Sequence, residues 1–222
     1  MKERVLLSWS GGKDAALALH QLHTWENFVV AALLTTVTQD YDRISMHGVQ
    51  RVLLELQAAT LGLPLEIVFI STTASDEEYG RAMRQTLEKC LADGVSSVAF
   101  GDIFLEDVRK YREANLAKIG MEALFPLWKR DTTELAHAFL DLGFEAVVTC
   151  VDSTMLDGSF AGRNYDERFF PDLPADVDPC GENGEFHTFV HAGPILRNRI
   201  AHEKGEVVLR EDRFYYCDLV PA

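Results

Sequence analysis

Basic residues are scarce in this sequence. Lys and Arg together number 21 against 35 Asp and Glu, which gives a formal net charge of -14 at pH 7. Binding to nucleic acid or to an anionic membrane surface needs clustered positive charge, so this balance argues against both as partners. A small anion such as a nucleotide remains compatible, because a few N–H groups and one lysine can bind it locally.

Cysteines are few, and long apolar runs are absent from the sequence. No C-x-x-C pair occurs among Cys90, Cys150, Cys180 and Cys217, which disfavours a structural zinc site and a thioredoxin-type motif. The stretch "FVVAALL" at residues 28–34 is far shorter than the roughly 20 apolar residues of a membrane helix. We therefore expect reduced thiols, no signal peptide and a cytoplasmic location.

Short apolar runs alternate with longer stretches of helical period as far as residue 151. This alternation is typical of βαβ units and a mostly parallel sheet. The predicted strands are residues 4–9, 28–36, 65–70, 95–101, 123–125 and 146–151. The predicted helices are residues 14–23, 48–61, 77–93, 107–119 and 132–142.

The pattern changes after residue 151, where the chain becomes rich in Gly, Pro and Asp and then reads as one or two antiparallel strands. We therefore predict a main α/β domain at residues 1–151. A smaller α+β domain is predicted at residues 152–222, packed on the carboxyl edge of the sheet.

The turn between the first strand and the first helix reads "SGGKD", from Ser10 to Asp14. Gly11 and Gly12 allow close approach of the backbone, the helix adds its positive end, and Lys13 adds a full charge, so the turn predicts an anion site. Its spacing fits neither the Walker A nor the dinucleotide motif. The alternative interpretation is an ordinary βα turn with a solvated lysine.

Three further polar segments follow predicted strands or lie in the Gly-rich region. "FGDIFLED" places Gly101 and Asp102 at a strand end, where Asp102 is either a site residue or a helix cap. "DYDRISMHGV" brings His47 to a predicted helix start, as a nucleotide contact or as a structural histidine. "CGENGEFHTFV" carries Glu182 and Glu185 in a loop that is either a site or a tight hairpin turn.

"SGGKD" resembles the pyrophosphate-binding loop of the N-type ATP pyrophosphatases. Together with "GDI", "PLW" at residues 126–128 and "GENGEF", in this order and over nearly the whole chain, it resembles the diphthine-ammonia ligase family. The resemblance implies a doubly wound, mostly parallel Rossmann-like α/β domain with a smaller C-terminal α+β domain. It departs at Ala15, where the usual loop has serine, and at Asn183 and His187, where the family's ligases usually read Gly and Glu.

The resemblance also implies a chemistry. ATP with Mg²⁺ would adenylate an acceptor carboxylate, of a small molecule or of a protein side chain, with release of pyrophosphate, and ammonia would then form an amide. The sequence leaves the oligomeric state open, with a homodimer as one option. The alternative interpretation is a nucleotide sensor without catalytic activity. In a variant of the enzyme hypothesis, which we call the sulfur-carrier variant, Cys180 carries sulfur. Placed on this sequence, the metal ligands are Asp14 and Asp102, and the catalytic residues are Lys13, Asp102, Glu182 and Glu185. The expected nucleotide contacts are Ser8, Ser10, Gly11, Gly12, Lys13, Asp14, Thr36, His47 and Gly101.

Overall fold

A computed structural model describes residues 2–222, and its N-terminal half is built on a mostly parallel sheet. Five parallel strands lie in the order β4-β2-β1-β5-β6. The elements of this half are β1 (Glu3–Ser8), α1 (Lys13–Thr24), β2 (Phe28–Thr38), β3 (Arg43–Ile44), α2 (Arg51–Leu61), β4 (Leu65–Ile70), α3 (Asp76–Ala92), β5 (Val95–Ala99), α4 (Glu106–Ala117) and β6 (Glu122–Leu124).

Helices cover both faces of this sheet, which confirms the doubly wound α/β prediction. Alternate residues of β1 point to opposite faces, so Leu7 packs in the core with α1 and α2, whereas Leu6 packs in a second core with α3 and α4. Local signals also set helix starts: Ser75 and Glu78 form a reciprocal capping box at the start of α3.

The short strand β3 lies past the carboxyl end of β1. Val37 and Thr38 of β2 pair with β4 on one side and with β3 on the other, which is the side that β1 occupies earlier along β2. The turn after β3 carries His47, and α2 begins only at Arg51. The helix predicted from residue 48 therefore starts three residues later, because a turn closed by Gly48 N–H and the Ile44 carbonyl (3.1 Å) precedes it.

The C-terminal half forms a second, antiparallel sheet. Its strands pair in the order β10-β11-β7-β8, and β9 also pairs with β7. Its elements are α5 (Thr132–Asp141), β7 (Glu145–Asp152), β8 (Asn164–Tyr165), β9 (Phe186–Ala192), β10 (His202–Arg210) and β11 (Phe214–Pro221). One hydrophobic core joins α1 and α2 to this sheet, so the two sheets are packed together.

The strand predicted at residues 146–151 exists as β7, but its place in the parallel sheet was wrong. β7 pairs with β8, β9 and β11, all antiparallel. All of its residues after Glu145 are buried, and a strand buried on both faces reads the same in either kind of sheet. The sheets thus change between β6 and β7, before the predicted division at residue 151.

Candidate functional site

The Ser10–Asp14 turn is held in place by the C-terminal sheet and by α2. The Gly11 carbonyl accepts hydrogen bonds from Val190 N on β9 and from Gln57 Nε2 on α2, each at 2.9 Å. The Gln57 amide is fully buried, and its Oε1 accepts from Trp9 Nε1 at 2.8 Å. Gly11 has φ +79°, and a Cβ there would lie 2.8 Å from Gln57 Oε1, so glycine is required. Contacts from both β9 and α2 thus hold the turn in this conformation.

Two N–H groups of the turn already have partners. Lys13 N donates to Thr188 Oγ1 at 3.0 Å, and Gly12 N donates to Ser10 Oγ at 3.3 Å. Thr188 lies on β9, so the first turn of α1 is tied to the C-terminal sheet. An anion at this helix end would have to share or replace these bonds.

The Lys13 ammonium points into the C-terminal half. It is 3% exposed, contacts the Cys180 carbonyl, and donates to Asp14 Oδ2 at 2.8 Å. It also lies 5.8 Å from the ring centre of Tyr165 and 5.3 Å from that of Phe186. Burial is the largest single influence and lowers the pKa of Lys13, but Asp14, Cys180 and Glu182 together outweigh it and hold the pKa above its usual value. Lys13 is thus a charged link between the halves rather than a solvated lysine.

Glu182 connects the "GENGEF" loop to the turn after β5. Its Oε1 accepts from Ile103 N at 2.7 Å and from Phe104 N at 3.3 Å. Burial raises the pKa of Glu182 to about 7, and the nearby charges of Asp14 and Asp102 also raise it. The two N–H hydrogen bonds lower this pKa, but by less. This carboxyl can therefore both take up and release a proton near neutral pH.

Asp14 and Asp102 lie on turns that touch. A Cβ on Gly101 would be 2.9 Å from the Asp14 carbonyl carbon, so the contact needs glycine. Asp102 Oδ2 lies 2.6 Å from Arg112 Nε, and α4 begins after Leu105, so Asp102 is no helix cap. Asp14 Oδ1 is buried and has no hydrogen-bond partner among residues 2–222.

This oxygen makes the pair of aspartates compatible with Mg²⁺. Within the described chain no group of three or more His, Cys, Asp or Glu is placed to hold a metal. Mg²⁺ commonly takes only one or two carboxylates and completes its shell with phosphate oxygens and water. The unpartnered Oδ1 of Asp14 and the carboxylate of Asp102 fit that mode of binding.

Glu185 holds the shape of its own loop. The carboxylate is 1% exposed; Oε1 accepts from Asp178 N (3.0 Å) and Asn183 Nδ2 (2.9 Å), and Oε2 accepts from Asn183 N (2.9 Å). All three recorded partners belong to the loop, which leaves Glu185 as a positioning residue.

We expect Glu185→Gln to destabilise the protein by about 1 to 3 kcal/mol, because the new amide would face N–H donors in a buried site. Urea unfolding measures the change. The exposed Glu167→Gln is the matched control, expected to remain within about 0.5 kcal/mol. Equal unfolding midpoints for the two variants would contradict this role.

A cavity of about 510 Å³ opens beside the turn, between the carboxyl ends of β1 and β2 and the helices α3 and α4. Of the predicted nucleotide contacts, Ser8, Ser10, Thr36 and His47 line it. The other predicted residues do not line it: Gly11, Gly12, Lys13, Asp14, Gly101, Asp102, Glu182 and Glu185 lie in the three joined turns next to it. Sequence reasoning missed nine polar lining residues: Thr35, Ser45, Tyr79, Arg84, Tyr111, Arg112, Asn115, Lys118 and His187.

Two histidines from opposite halves meet in the cavity wall. The rings of His47 and His187 are in contact and tilted, with centres 4.2 Å apart and planes at 33°. Burial lowers the pKa of His187 to about 4, and the charge of Lys13 lowers it further. Burial also lowers the pKa of His47 well below its usual value. Both rings are therefore neutral at pH 7. His47 Nδ1 is buried without a partner in the described chain, so it can bond to a ligand.

Comparison with known families identifies the relatives of this chain. Residues 1–123 match the family model described as "Diphthamide synthase N-terminal domain", and residues 131–219 match "Diphthamide synthase C-terminal domain". This chain belongs to the diphthamide synthase family. The two matches meet between β6 and α5, close to where the chain passes from one sheet to the other.

Relatives in the diphthamide synthase family align over most of this chain. A diphthine–ammonia ligase of Danio rerio is 25% identical over 94% of this chain and 90% of its own. The one of Homo sapiens is 26% identical over 93% and 85%, and the one of Schizosaccharomyces pombe is 25% identical over 92% and 37%. Among solved structures, a U34-tRNA thiolase of Methanococcus maripaludis aligns with a TM-score of 0.37 at 16% identity, covering 64% of this chain and 58% of that one.

In this member of the diphthamide synthase family, the side chain of Cys180 is buried away from the cavity. Its Sγ donates to the Thr132 carbonyl at 3.3 Å, and burial raises its pKa far above the usual value. Sulfur transfer needs a thiolate, so this environment disfavours the sulfur-carrier variant.

In residues 2–222, no helix is both long and apolar enough to cross a bilayer.

We expect Cys180 to resist alkylation in the native protein. Iodoacetamide at pH 7.5 should leave the peptide that contains Cys180 unmodified for as long as the protein stays folded, and should label it rapidly in 8 M urea. Mass spectrometry of the digested protein measures both rates. Labelling of the folded protein at the urea rate would show an accessible thiolate and restore the sulfur-carrier variant.

Proposed function

We propose that this chain is an ATP-dependent ligase that adenylates a carboxylate and then converts it to an amide with ammonia. One observation carries the proposal: Glu182 of the C-terminal half bonds to Ile103 N (2.7 Å) in the turn after β5, beside the Lys13–Asp14 pair of the first turn. Three turns that the sequence separates thereby form one polar site. Diphthine–ammonia ligases are the relatives of this chain, which supports the same class of reaction.

In this proposal, an acceptor carboxylate oxygen attacks the α-phosphorus of ATP, a new P–O bond forms, and pyrophosphate leaves. The Ser10–Asp14 turn binds the phosphates, and the positive end of α1 stabilises the charge that develops on pyrophosphate. Lys13 acts through the turn that it holds, since its ammonium is already bonded to Asp14 and Cys180. Pre-positioning of this kind is the main contribution a protein makes to phosphoryl-type transfer.

In the second step, ammonia attacks the acyl carbon, a C–N bond forms, and AMP leaves. Attack by ammonia leaves an extra proton on nitrogen, and in this proposal Glu182 accepts it. Its pKa of about 7 makes the ionised carboxylate available at neutral pH. His47 and His187 are neutral and line the nucleotide side of the cavity, where their rings can stack on a base.

Asp14 and Asp102 are the residues that would hold Mg²⁺, through the unpartnered Oδ1 of Asp14 and the carboxylate of Asp102. The ion would neutralise charge on the phosphate oxygens of ATP.

The test is the product formed from ATP. The protein is incubated with α-labelled ATP and Mg²⁺, with or without ammonium and a pool of cell metabolites, and AMP is resolved from ADP. AMP that requires the pool, together with an amide product that requires ammonium, is the expected result. Tight ATP binding without AMP under every condition would contradict the proposal and favour the nucleotide sensor.

A further inference from the structure

The cavity continues from the carboxyl edge of the sheet into a cleft between α3 and α4. The lining residues of each helix fall mostly in adjacent pairs that recur every three or four positions, so each helix presents one face to the cleft. From α3 these residues are Tyr79, Gly80, Met83, Arg84 and Leu87; from α4 and the turn after it they are Tyr111, Arg112, Asn115, Leu116, Lys118 and Ile119.

The cleft carries positive charge in a strongly acidic protein. Its lining contains Arg84, Arg112 and Lys118 but no Asp or Glu among residues 2–222, although the chain has 35 acidic residues against 21 basic ones. Arg112 is paired with Asp102 at 2.6 Å. Arg84 makes no ion pair with any described residue, and the only recorded partner of Lys118 Nζ is the neutral Asn115 Oδ1 at 2.8 Å. Both side chains are exposed to solvent, so two uncompensated charges border the cleft from opposite walls.

Gly80 gives an independent sign that space is kept here. It lies inside α3, where glycine destabilises a helix relative to alanine. No described heavy atom lies within 4 Å of a Cβ built on Gly80, so packing does not require the glycine. Because the residue lines the cleft, its missing side chain widens the space between the helices.

The two charges lie well away from the Ser10–Asp14 turn. α4 follows β5 and leads to the parallel strand β6, so it runs back from the carboxyl edge over its 12 residues, about 18 Å. Lys118 comes directly after this helix, and Arg84 lies eight residues into α3, about 12 Å from its start. A nucleotide whose phosphates sit on the turn would leave this end of the cleft to another ligand.

We propose that the cleft binds the acceptor, and that the acceptor is an elongated acid with a second anionic group, carboxylate or phosphate, at the end remote from the reacting carboxylate. This inference rests on the proposed ligase function. Arg84 and Lys118 bind the remote anion, and Tyr79 and Tyr111 can donate hydrogen bonds to it. Met83, Leu87, Leu116 and Ile119 contact the apolar middle of the molecule.

The experiment compares four probes of one chain length by calorimetry at low salt, with a non-hydrolysable ATP analogue bound. They are pimelate, its analogue with a terminal phosphonate, heptanoate, and the analogue with a terminal trimethylammonium group. We expect the two dianions to bind at least about tenfold more tightly than heptanoate, and the cationic acid to bind least. The ratio of pimelate to phosphonate affinity identifies which anion the site prefers. Heptanoate binding as tightly as pimelate would overturn the inference.

Variants locate the effect in the cleft. Arg84→Glu and Lys118→Glu should each remove the preference for dianions, whereas Arg81→Glu, an exposed arginine of α3 outside the cleft, should keep it. Gly80→Leu should block all four probes, with Gln85→Leu on the exposed side of the same helix as its control. Equal loss of ATP-analogue affinity in Arg84→Glu and Lys118→Glu would show that these charges bind the nucleotide, and would overturn the inference.

AMP formation separates this inference from the proposed function. Selective dianion binding without AMP or pyrophosphate would refute the ligase and leave only the preference of the cleft for elongated dianions. AMP formed faster with heptanoate or the cationic acid than with the dianions would support the ligase and refute the dianionic acceptor.

Discussion

Lys13→Met is expected to destabilise the protein by about 2 to 4 kcal/mol and to abolish AMP formation. The substitution leaves Asp14 Oδ2 and the Cys180 carbonyl without their ammonium partner in a site where the lysine is 3% exposed. It also removes a cation from the faces of Tyr165 and Phe186. Urea unfolding and the AMP assay at matched protein concentration measure the two losses.

A double-mutant cycle tests the origin of this loss. Adding Asp14→Asn to Lys13→Met removes the uncompensated charge, so part of the lost stability should return while AMP formation stays absent. Lys89→Met is the matched control, since Lys89 forms an exposed pair with Glu66 at 3.2 Å and should contribute less than about 1 kcal/mol. Equal unfolding midpoints for Lys13→Met and Lys89→Met would refute the linking role of Lys13.

Glu182→Gln is expected to lower kcat by about 10² to 10⁴ while ATP affinity changes little. The glutamine Oε1 can still accept from Ile103 N, so the contact between the loops survives, but the side chain can no longer take a proton. In the unsubstituted protein, kcat/KM should rise with pH and level off near pH 7 as Glu182 ionises. Initial rates of amide formation between pH 5 and 9 measure this profile.

The same carboxyl gives stability a definite pH dependence. Because the fold raises the pKa of Glu182 from 4.5 to about 7, its contribution is fully present below pH 4.5 and is lost as pH rises through about 7. For this partly exposed group the loss should be on the order of 1 to 2 kcal/mol, and Glu182→Gln should remove it. The exposed Glu203→Gln should behave like the unsubstituted protein in both assays. Normal turnover in Glu182→Gln would exclude the carboxyl from proton transfer.

The parallel sheet and its first turn could be predicted because their signals are local. Apolar runs mark β1, β2, β4 and β5, and the glycines of "SGGKD" stand directly at a strand-to-helix junction. The partners of that turn could not be predicted. Thr188 and Val190 lie more than 170 positions away on β9, and nothing in their neighbourhood indicates what they bind.

The tertiary structure accounts for the other differences. Gln57 stands in an ordinary helical pattern, yet it is fully buried and bonds to three groups, which only the tertiary structure reveals. Arg84 likewise appears in the sequence as one of many solvated helix charges, and its place beside the cleft depends on the gap between α3 and α4. Glu185 was predicted to be catalytic from its residue type, and its loop turns out to use both of its oxygens.

The bond between Val190 N and the Gly11 carbonyl has a consequence for biosynthesis. The ribosome makes residue 190 long after residue 11, so the first turn cannot acquire its final shape until the residues between them have been synthesised. Contacts so distant in sequence also form slowly, because a long loop must close first. We therefore expect newly made chains to lack the final shape of this turn until β9 has emerged and docked.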